Sequence, residues 1–355
     1  MTTSPARPRH SSGLDPVRSI IFDGRSVSAG SAPRGPTPPP GEALIRPLKV
    51  AVSSTERALL AHAKLTGQSE TVAPFVGVMG HEFIGVVEDV CPKAGRDEQR
   101  QWIGKRVVGG INDPCGRCDL CRGGLSAHCR ARTVLGLLGR DGCFSDRFCL
   151  PTANLVEVPA SVDDDRAVFA GPLAAVAHIA HAVRLQGKPY VTVLGDGTMG
   201  LLAAQVMVRM NASVRLLGKH PEKFTLCERW SIRHRHIDEV GRRNDQDVVI
   251  DCTGEPGGVE LALGLVRPRG KIVVKGAPVL WPGAARAWPD LSAVSAMELE
   301  VIGSRSARMA DAVDLLARGM IDVLPLITGR GKLGDAPRAI EGMSQPEAIK
   351  FVLDV

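Results

Sequence analysis

Hydrophobic positions in this 355-residue chain follow two different rhythms. Up to about residue 160 they come as short alternating runs punctuated by glycine and proline, the pattern of half-buried strands. Strands are predicted at Arg18–Gly24, Glu42–Val52, Phe83–Val90 and Arg106–Ile111, with a polar turn entering a short helix over Ser53–Lys64. Pro47 has no N–H to give a neighbouring strand, which confines Glu42–Val52 to a sheet edge or a bulge. Beyond residue 160 the rhythm changes. Asp163–Arg184 is predicted helical, with Val168, Leu173, Val176, Ile179 and Val183 on one face and Pro172 near a helix start or breaking it. Strands at Tyr190–Leu194, Ser213–Leu217, Asp247–Asp251, Lys271–Val274 and Leu299–Gly303 then alternate with helices starting near Thr198, Pro221, Gly257 and Asp290. Such alternation predicts an α/β unit, a doubly wound parallel sheet covered on both faces. An amphipathic helix (Ala307–Arg318), a helix near Gly334–Met343 and a terminal strand (Ala348–Leu353) returning to the first domain complete the chain.

The domain scheme that follows is a mainly β domain over 18–165, a parallel α/β domain over 166–304, and a return to the first domain over 305–355. Residues 1–17 are rich in Ser, Pro and Arg without periodicity and are expected to form a disordered tail. Ala32–Gly41 is a proline-rich connector.

Composition narrows the function classes. Hydrophobic content of 44% is ample for a core, and no apolar run approaches the roughly 20 residues that span a membrane. The net charge of +6 lies in scattered arginines and in the first 18 residues, which is no nucleic-acid footprint, and 4% aromatic residues make a base-stacking surface improbable. Nine cysteines without a signal peptide point to a reducing compartment such as the cytoplasm, with thiols serving metal or packing.

The candidate chemistry begins at Gly195-Asp-Gly197-Thr198-Met199-Gly200, which has G-x-G-x-x-G spacing between a strand and a helix. That setting makes a dinucleotide site: Gly195 for the sharp turn, Gly197 for approach of a pyrophosphate, Gly200 for close helix–strand packing, and free N–H groups at the helix start. NAD sites place an acidic residue at the end of the second strand, about 20 positions on. Here that position is Gly218, followed by Lys219. Gly218 leaves room for a 2′-phosphate and Lys219 supplies charge, so NADP(H) is expected in preference to NAD(H). Cys115, Cys118, Cys121 and Cys129 form C-x2-C-x2-C-x7-C. Four thiolates in this span suit one tetrahedral ion with no open position, a structural zinc, with an iron–sulfur cluster as the rival. Cys91, Cys143, Cys149, Cys227 and Cys252 fall outside the spacing and read as small buried hydrophobes. His178 and His181 share a helix three positions apart without a third ligand nearby, which favours packing or surface roles.

Gly80-His81-Glu82, the four-cysteine loop, Gly171-Pro-Leu-Ala174, the glycine turn, Asp247-Val-Val-Ile-Asp-Cys-Thr253-Gly254 and Val266-Arg-Pro-Arg-Gly270 occur in the order seen in zinc-containing medium-chain alcohol dehydrogenases. The resemblance runs over about residues 18 to 355. It implies a GroES-like β domain, a Rossmann domain, a cleft between them, and hydride transfer between a nicotinamide and an alcohol or carbonyl, with Thr253 among the cofactor contacts. It also implies a catalytic zinc on a Cys, on the His of Gly-His-Glu, and on a later Cys or Glu. Matched to this chain, the first ligand position holds Ser53, the third holds Gly171, and Glu56 stands where the family has Asp. Thr55 matches the proton-relay residue. Catalytic zinc usually has three protein ligands, a serine hydroxyl is hard to deprotonate, and glycine has no side chain. His81 and Glu82 alone therefore make a deficient catalytic-zinc site, and a His–carboxylate pair without metal is the expected reading, with His81 available as an acid or base.

Two functions remain at this point. One is an NAD(P)-linked oxidoreductase acting on an alcohol, aldehyde or ketone through Thr55, His81, Glu82 and Ser53. The other is a non-catalytic nucleotide-binding protein on a dehydrogenase frame. Phe75, Trp281 and Trp288 are candidate lining residues. The resemblance further implies a homodimer or homotetramer.

Overall fold

A computed structural model describes residues 17–32, 36–66, 75–185, 187–276, 292–305 and 308–355. The expectations placed on residues 1–16 and on Trp281 and Trp288 lie outside these. The first sheet is built around Glu42–Val52, whose Ala43, Ile45, Val50 and Val52 are fully buried. It pairs antiparallel with Phe83–Cys91 on one side and with Lys350–Asp354 on the other, and Phe148–Pro151 also joins it. The sheet runs outward through Arg106–Gly109 to Leu155–Glu157 and, at the other side, to Ile327–Lys332. Glu42–Val52 is thus central. Pro47 is accommodated because the pairing with Phe83–Cys91 shifts register between Pro47 and Lys49, so no ladder donor is missing where one is needed.

The second sheet is entirely parallel. Its order is Arg233–His236, Ser213–Gly218, Tyr190–Leu194, Gln246–Asp251, Val266–Val274 and Glu300–Gly303. In sequence terms this is 3-2-1-4-5-6, the doubly wound order whose reversal lies between the first and fourth strands. Leu194 and Asp251 are partners across that reversal, so the crevice where such sheets bind ligands opens above their carboxyl ends. The edge strand Arg233–His236 was not expected, because Arg-His-Arg-His carries no apolar alternation. It is held by backbone pairing to Arg215–Gly218.

The helix expected over Asp163–Arg184 is two helices, Asp164–Ala167 and Ala170–Val183. Pro172 lies in the first turn of the second, where its missing N–H removes no helical bond. Asp163 caps the first by accepting from the Arg166 N–H at 2.8 Å. Ala170–Val183 packs its Leu173, Val176, Ile179 and Val183 into a core shared with Thr198–Arg209, Met309–Ala317 and the parallel sheet. A separate core fills the first domain, with Phe22, Phe144, Met79 and Phe75 inside it, so Phe75 is a packing residue. Among the described residues no helix is long and apolar enough to cross a membrane.

Candidate active site

The glycine turn leaves the strand Tyr190–Leu194 and enters the helix Thr198–Arg209. Gly195 sits at φ +103°, a region that L side chains rarely adopt. A side chain on Gly200 would overlap the Gly195 carbonyl, so the helix can lie this close to the strand only with glycine there. Gly197 differs: a Cβ built on it would meet nothing within 4 Å. No protein neighbour demands glycine at 197, and its open side is the side from which a pyrophosphate would reach the backbone. Thr198 turns its hydroxyl the other way, donating to the Ile349 carbonyl at 2.7 Å, while Met199 packs against the core. Across the reversal, Thr253 donates from its hydroxyl to Asp251 Oδ1 at 2.6 Å and from its N–H to the same oxygen at 2.9 Å. These residues fit a nicotinamide dinucleotide.

The room expected above Gly218 is filled. The Asp196 carboxylate lies against Gly218, and a Cβ at 218 would overlap it. Asp196 Oδ2 accepts the N–H groups of Lys219 and His220 at 2.7 and 2.8 Å, and Oδ1 accepts from His220 Nδ1 at 2.9 Å. Burial works against its charge, but the His220 hydrogen bonds outweigh burial and hold the carboxyl below its ordinary range. Gly218 is therefore glycine to admit a carboxylate from the turn itself. Lys219 is exposed beside it.

Ser53, Glu56 and His81 form a hydrogen-bonded chain at the start of the helix Ser54–Thr66, with Ser53 and Glu56 buried and His81 partly exposed. Glu56 is completely buried. Its Oε2 accepts the Ser53 hydroxyl at 2.6 Å and the Ser53 N–H at 2.9 Å, and its Oε1 accepts from His81 Nδ1 at 2.7 Å. Burial is the largest influence on both partners and opposes their charges. The mutual attraction and hydrogen bond still win, so the Glu56 pKa is lowered and the His81 pKa is raised, the latter helped by Glu82. Thr55 is half-buried beside them, with its N–H bonded to the Ser53 oxygen at 3.0 Å.

Glu82 is engaged elsewhere. Lys350 Nζ donates to its Oε2 at 2.6 Å, and the two side chains are 1% and 6% exposed. His81 Nε2 stands 4.0 Å from Glu82 Oε1. Gly171, at the start of Ala170–Val183, lies beside this pair, since a Cβ there would be 3.8 Å from Glu82 Cγ. The structure thus brings Ser53, His81, Glu82 and Gly171 to one place, but their donors do not suit zinc. Ser53 donates its hydroxyl hydrogen bond to Glu56, Glu82 is paired with a buried ammonium, and Gly171 has no side chain, so His81 Nε2 is left without the further ligands a catalytic zinc needs. Among the described residues the cysteine quartet alone presents three or more clustered metal-ligating groups.

In that quartet all four ligand atoms lie within 4.8 Å of one another. Cys118 Sγ is 3.4 Å from Cys121 Sγ and 3.8 Å from Cys129 Sγ, and Cys129 is 3.5 Å from Cys115. Tetrahedral Zn–S bonds of about 2.3 Å require thiolates about 3.8 Å apart, so the four cysteines fit a zinc ion. Backbone N–H groups of Arg117 and Cys118 point at the Cys115 sulfur and lower its pKa to about 6, which favours the thiolate.

Lys350 and Asp196 were not found from sequence. Lys350 carried one signal: it is a lone lysine within the apolar terminal strand, in the same alternate set as Val352, which is also buried. Asp196 occupies a variable position of the glycine motif and gave none. Lys350 also closes a physical link between the two halves of the cleft. The Thr198 hydroxyl binds the Ile349 carbonyl, the next residue is Lys350, and Lys350 holds Glu82 next to His81.

Residues 39–160 match the alcohol dehydrogenase GroES-like domain. L-threonine 3-dehydrogenase of Streptomyces coelicolor is 28% identical over 334 residues, covering 90% of this chain and 93% of that protein. Among solved structures, a protein of Sinorhizobium meliloti described as a zinc-binding dehydrogenase and bound to NADP is 24% identical with a TM-score of 0.82. It aligns over 96% of this chain and 100% of its own. Acetophenone reductase of Geotrichum candidum in complex with NAD is 22% identical with a TM-score of 0.79, over 96% and 98% of the two chains. Taken with the glycine turn, the four-cysteine loop and the doubly wound sheet, these matches make residues 39–160 an alcohol dehydrogenase GroES-like domain and the chain as a whole similar, in fold and over most of its length, to zinc-type, alcohol dehydrogenase-like medium-chain dehydrogenases.

Proposed function

We propose that this protein transfers a hydride between a nicotinamide dinucleotide and an alcohol, aldehyde or ketone, at a catalytic pole that works without zinc and with a structural zinc on Cys115, Cys118, Cys121 and Cys129. The observation that carries this reading is the hydrogen-bonded Ser53–Glu56–His81 chain, linked through Lys350 and Ile349 to the glycine turn. When bound, the nicotinamide supplies or accepts the hydride. Glu56 fixes His81 with its Nδ1–H directed inward, which leaves Nε2 as the nitrogen free to meet substrate. In the reducing direction the imidazolium donates its Nε2 proton to the substrate oxygen as negative charge develops there. In the oxidising direction neutral His81 takes the hydroxyl proton. Thr55 stands beside this chain as the second hydroxyl able to relay a proton.

The preferred nucleotide in this reading is NADP(H). Its support is charge rather than room: exposed Lys219 and nearby His220 and Lys223 surround the strand end, while the Asp196 charge is consumed by three hydrogen bonds. The Glu300–Gly303 edge of the parallel sheet, where Val301 is 47% exposed, is the surface through which we expect a homodimer or homotetramer to form.

A second reading, a nucleotide-binding protein without turnover, is favoured by the pairing of Glu82 with Lys350, which removes a zinc ligand. The two readings separate in one experiment. A panel of alcohols and ketones is assayed with both nucleotides, alongside metal content and nucleotide affinity. The expected result is turnover, one zinc per chain, and NADPH bound more tightly than NADH. Nucleotide binding with no turnover across the panel supports the second reading, and two zinc ions per chain would overturn the metal-free pole.

A further inference from the structure

Outside the Ser53–Glu56–His81 chain, the cleft holds a group of cations that nothing so far uses. Lys275 directly follows the strand Val266–Val274, one strand beyond the reversal, so it lies at the same carboxyl ends as the glycine turn. Its position is fixed: the N–H groups of Lys275 and Gly276 both bind the Asp251 carbonyl, at 2.9 and 2.8 Å, and a side chain on Gly276 would overlap the Gly254 backbone. The ammonium donates to the carbonyls of Ser304 and Arg305, at 3.1 and 2.5 Å, which leaves one of its three N–H donors.

Two further cations, Arg305 and Arg132, and the His178 imidazole gather there. His178, on the helix Ala170–Val183, shares its Nδ1 with Ser304 Oγ at 3.0 Å, leaving Nε2. Arg305 follows Ser304. Arg132, from the exit of the cysteine loop, approaches Arg305, and its Nε is buried with no hydrogen-bond partner. His128 and His181, both exposed, lie at the rim. Among the described residues none of these six forms an ion pair with a carboxylate. Their mutual influence is repulsive: burial first, then Lys275 and the neighbouring histidines, lowers the His178 pKa, and burial lowers that of Lys275 to about 8. Half-buried like charges drawn from three separate segments, Lys275, Arg132 and Arg305, are costly unless something negative joins them. Gly171, beside Glu82, and His178 lie seven residues apart on one face of the same helix, about 10 Å along its axis, which sets the spacing between the proposed catalytic pole and the cations.

We propose that Lys275, with His178, Arg132 and Arg305 around it, binds the anionic group, carboxylate or phosphate, of the compound oxidised or reduced here. The substrate is then a hydroxy or oxo acid or a phosphorylated alcohol or ketone. This rests on the oxidoreductase reading above. The remaining ammonium proton, the Arg132 Nε–H and the His178 ring are donors to the anion, and its charge relieves their repulsion.

The full-length protein is titrated with inorganic phosphate and with acetate by calorimetry, alone and with saturating NADH or NADPH. The same is done with Lys275→Gln and Lys275→Arg. Anion binding is expected to persist with nucleotide bound, to weaken about ten-fold or more in Lys275→Gln, and to be largely kept in Lys275→Arg. In parallel, 3-hydroxybutyrate is compared with 2-butanol, and glycerol 3-phosphate with glycerol. The charged member of at least one pair is expected to have the higher kcat/KM, and that charged-to-neutral ratio to fall about ten-fold or more in Lys275→Gln. The pair that responds distinguishes carboxylate from phosphate. His178→Gln should lower the same ratio, which keeps the test open if Lys275→Gln does not fold. Anion binding abolished by either nucleotide would assign the cations to the cofactor's own phosphates and overturn the proposal, as would equal binding by wild type and Lys275→Gln. Anion binding that behaves as expected without turnover of any pair leaves the anion site standing and removes the hydride-transfer reading.

Discussion

Glu56 and His81 set the pH behaviour of the site, and the sign follows from the two shifts. The lowered Glu56 pKa contributes stability above the ordinary carboxyl range, near 4, and that contribution is lost as pH falls through the folded-state value. The raised His81 pKa contributes stability that is full below the ordinary imidazole value, near 6.5, and is lost as pH rises through the folded-state value. Between the two the pair is ionised and most stabilising. Carbonyl reduction should accordingly decline as pH rises past the raised His81 pKa. Glu56→Gln keeps an acceptor for His81 but removes the charge. It should move the midpoint of the pH–rate profile downward and cost about 1–3 kcal/mol of stability, read by urea denaturation near neutral pH. An unmoved midpoint would show that His81 is not the titrating group. The histidine and its Gly-His-Glu setting were legible in the sequence, and so was Ser53 in place of a thiolate. That Glu56 binds both at once was not, because Ser53 and His81 meet only through strand pairing.

The terminal strand Lys350–Asp354 is the element that joins the two halves. It pairs with Glu42–Val52 and directs one lysine inward to Glu82, while the Ile349 carbonyl just before it takes the Thr198 hydroxyl. Lys350→Met should destabilise the protein by about 3–5 kcal/mol, because it leaves Glu82 buried and unpaired. Adding Glu82→Leu should recover much of that loss, since an apolar pair of similar volume costs less than a lone buried charge. A double variant no more stable than Lys350→Met would mean that Glu82 finds another partner. Alternation of apolar residues predicted this strand, but periodicity assigns faces and not partners. The edge strand Arg233–His236 shows the opposite limit: without an apolar pattern, only its neighbour's unpaired backbone makes it a strand.

For the whole molecule, the expected metal content is one zinc per chain, at the cysteine quartet. Cys118→Ser should release it and lower the Tm, since the loop from Cys115 to Cys129 has few buried residues of its own and depends on the ion for its shape. NADPH binding, measured by fluorescence titration below the new Tm, should change little, because the quartet lies outside the parallel sheet that carries the glycine turn. Loss of nucleotide binding with the fold intact would contradict this separation. The sequence by itself determined the alternation that makes a parallel sheet, the glycine turn between strand and helix, and the four thiols spaced for one ion. These are local: each depends on residues a few positions apart or on the chemistry of one side chain. Tertiary structure alone decided that Asp196 fills the space over Gly218, that Lys350 takes Glu82, and that Lys275, His178, Arg132 and Arg305 converge without a carboxylate among the described residues. Electrostatics and burial act through space, and these partners come from segments that only the folded sheets bring together.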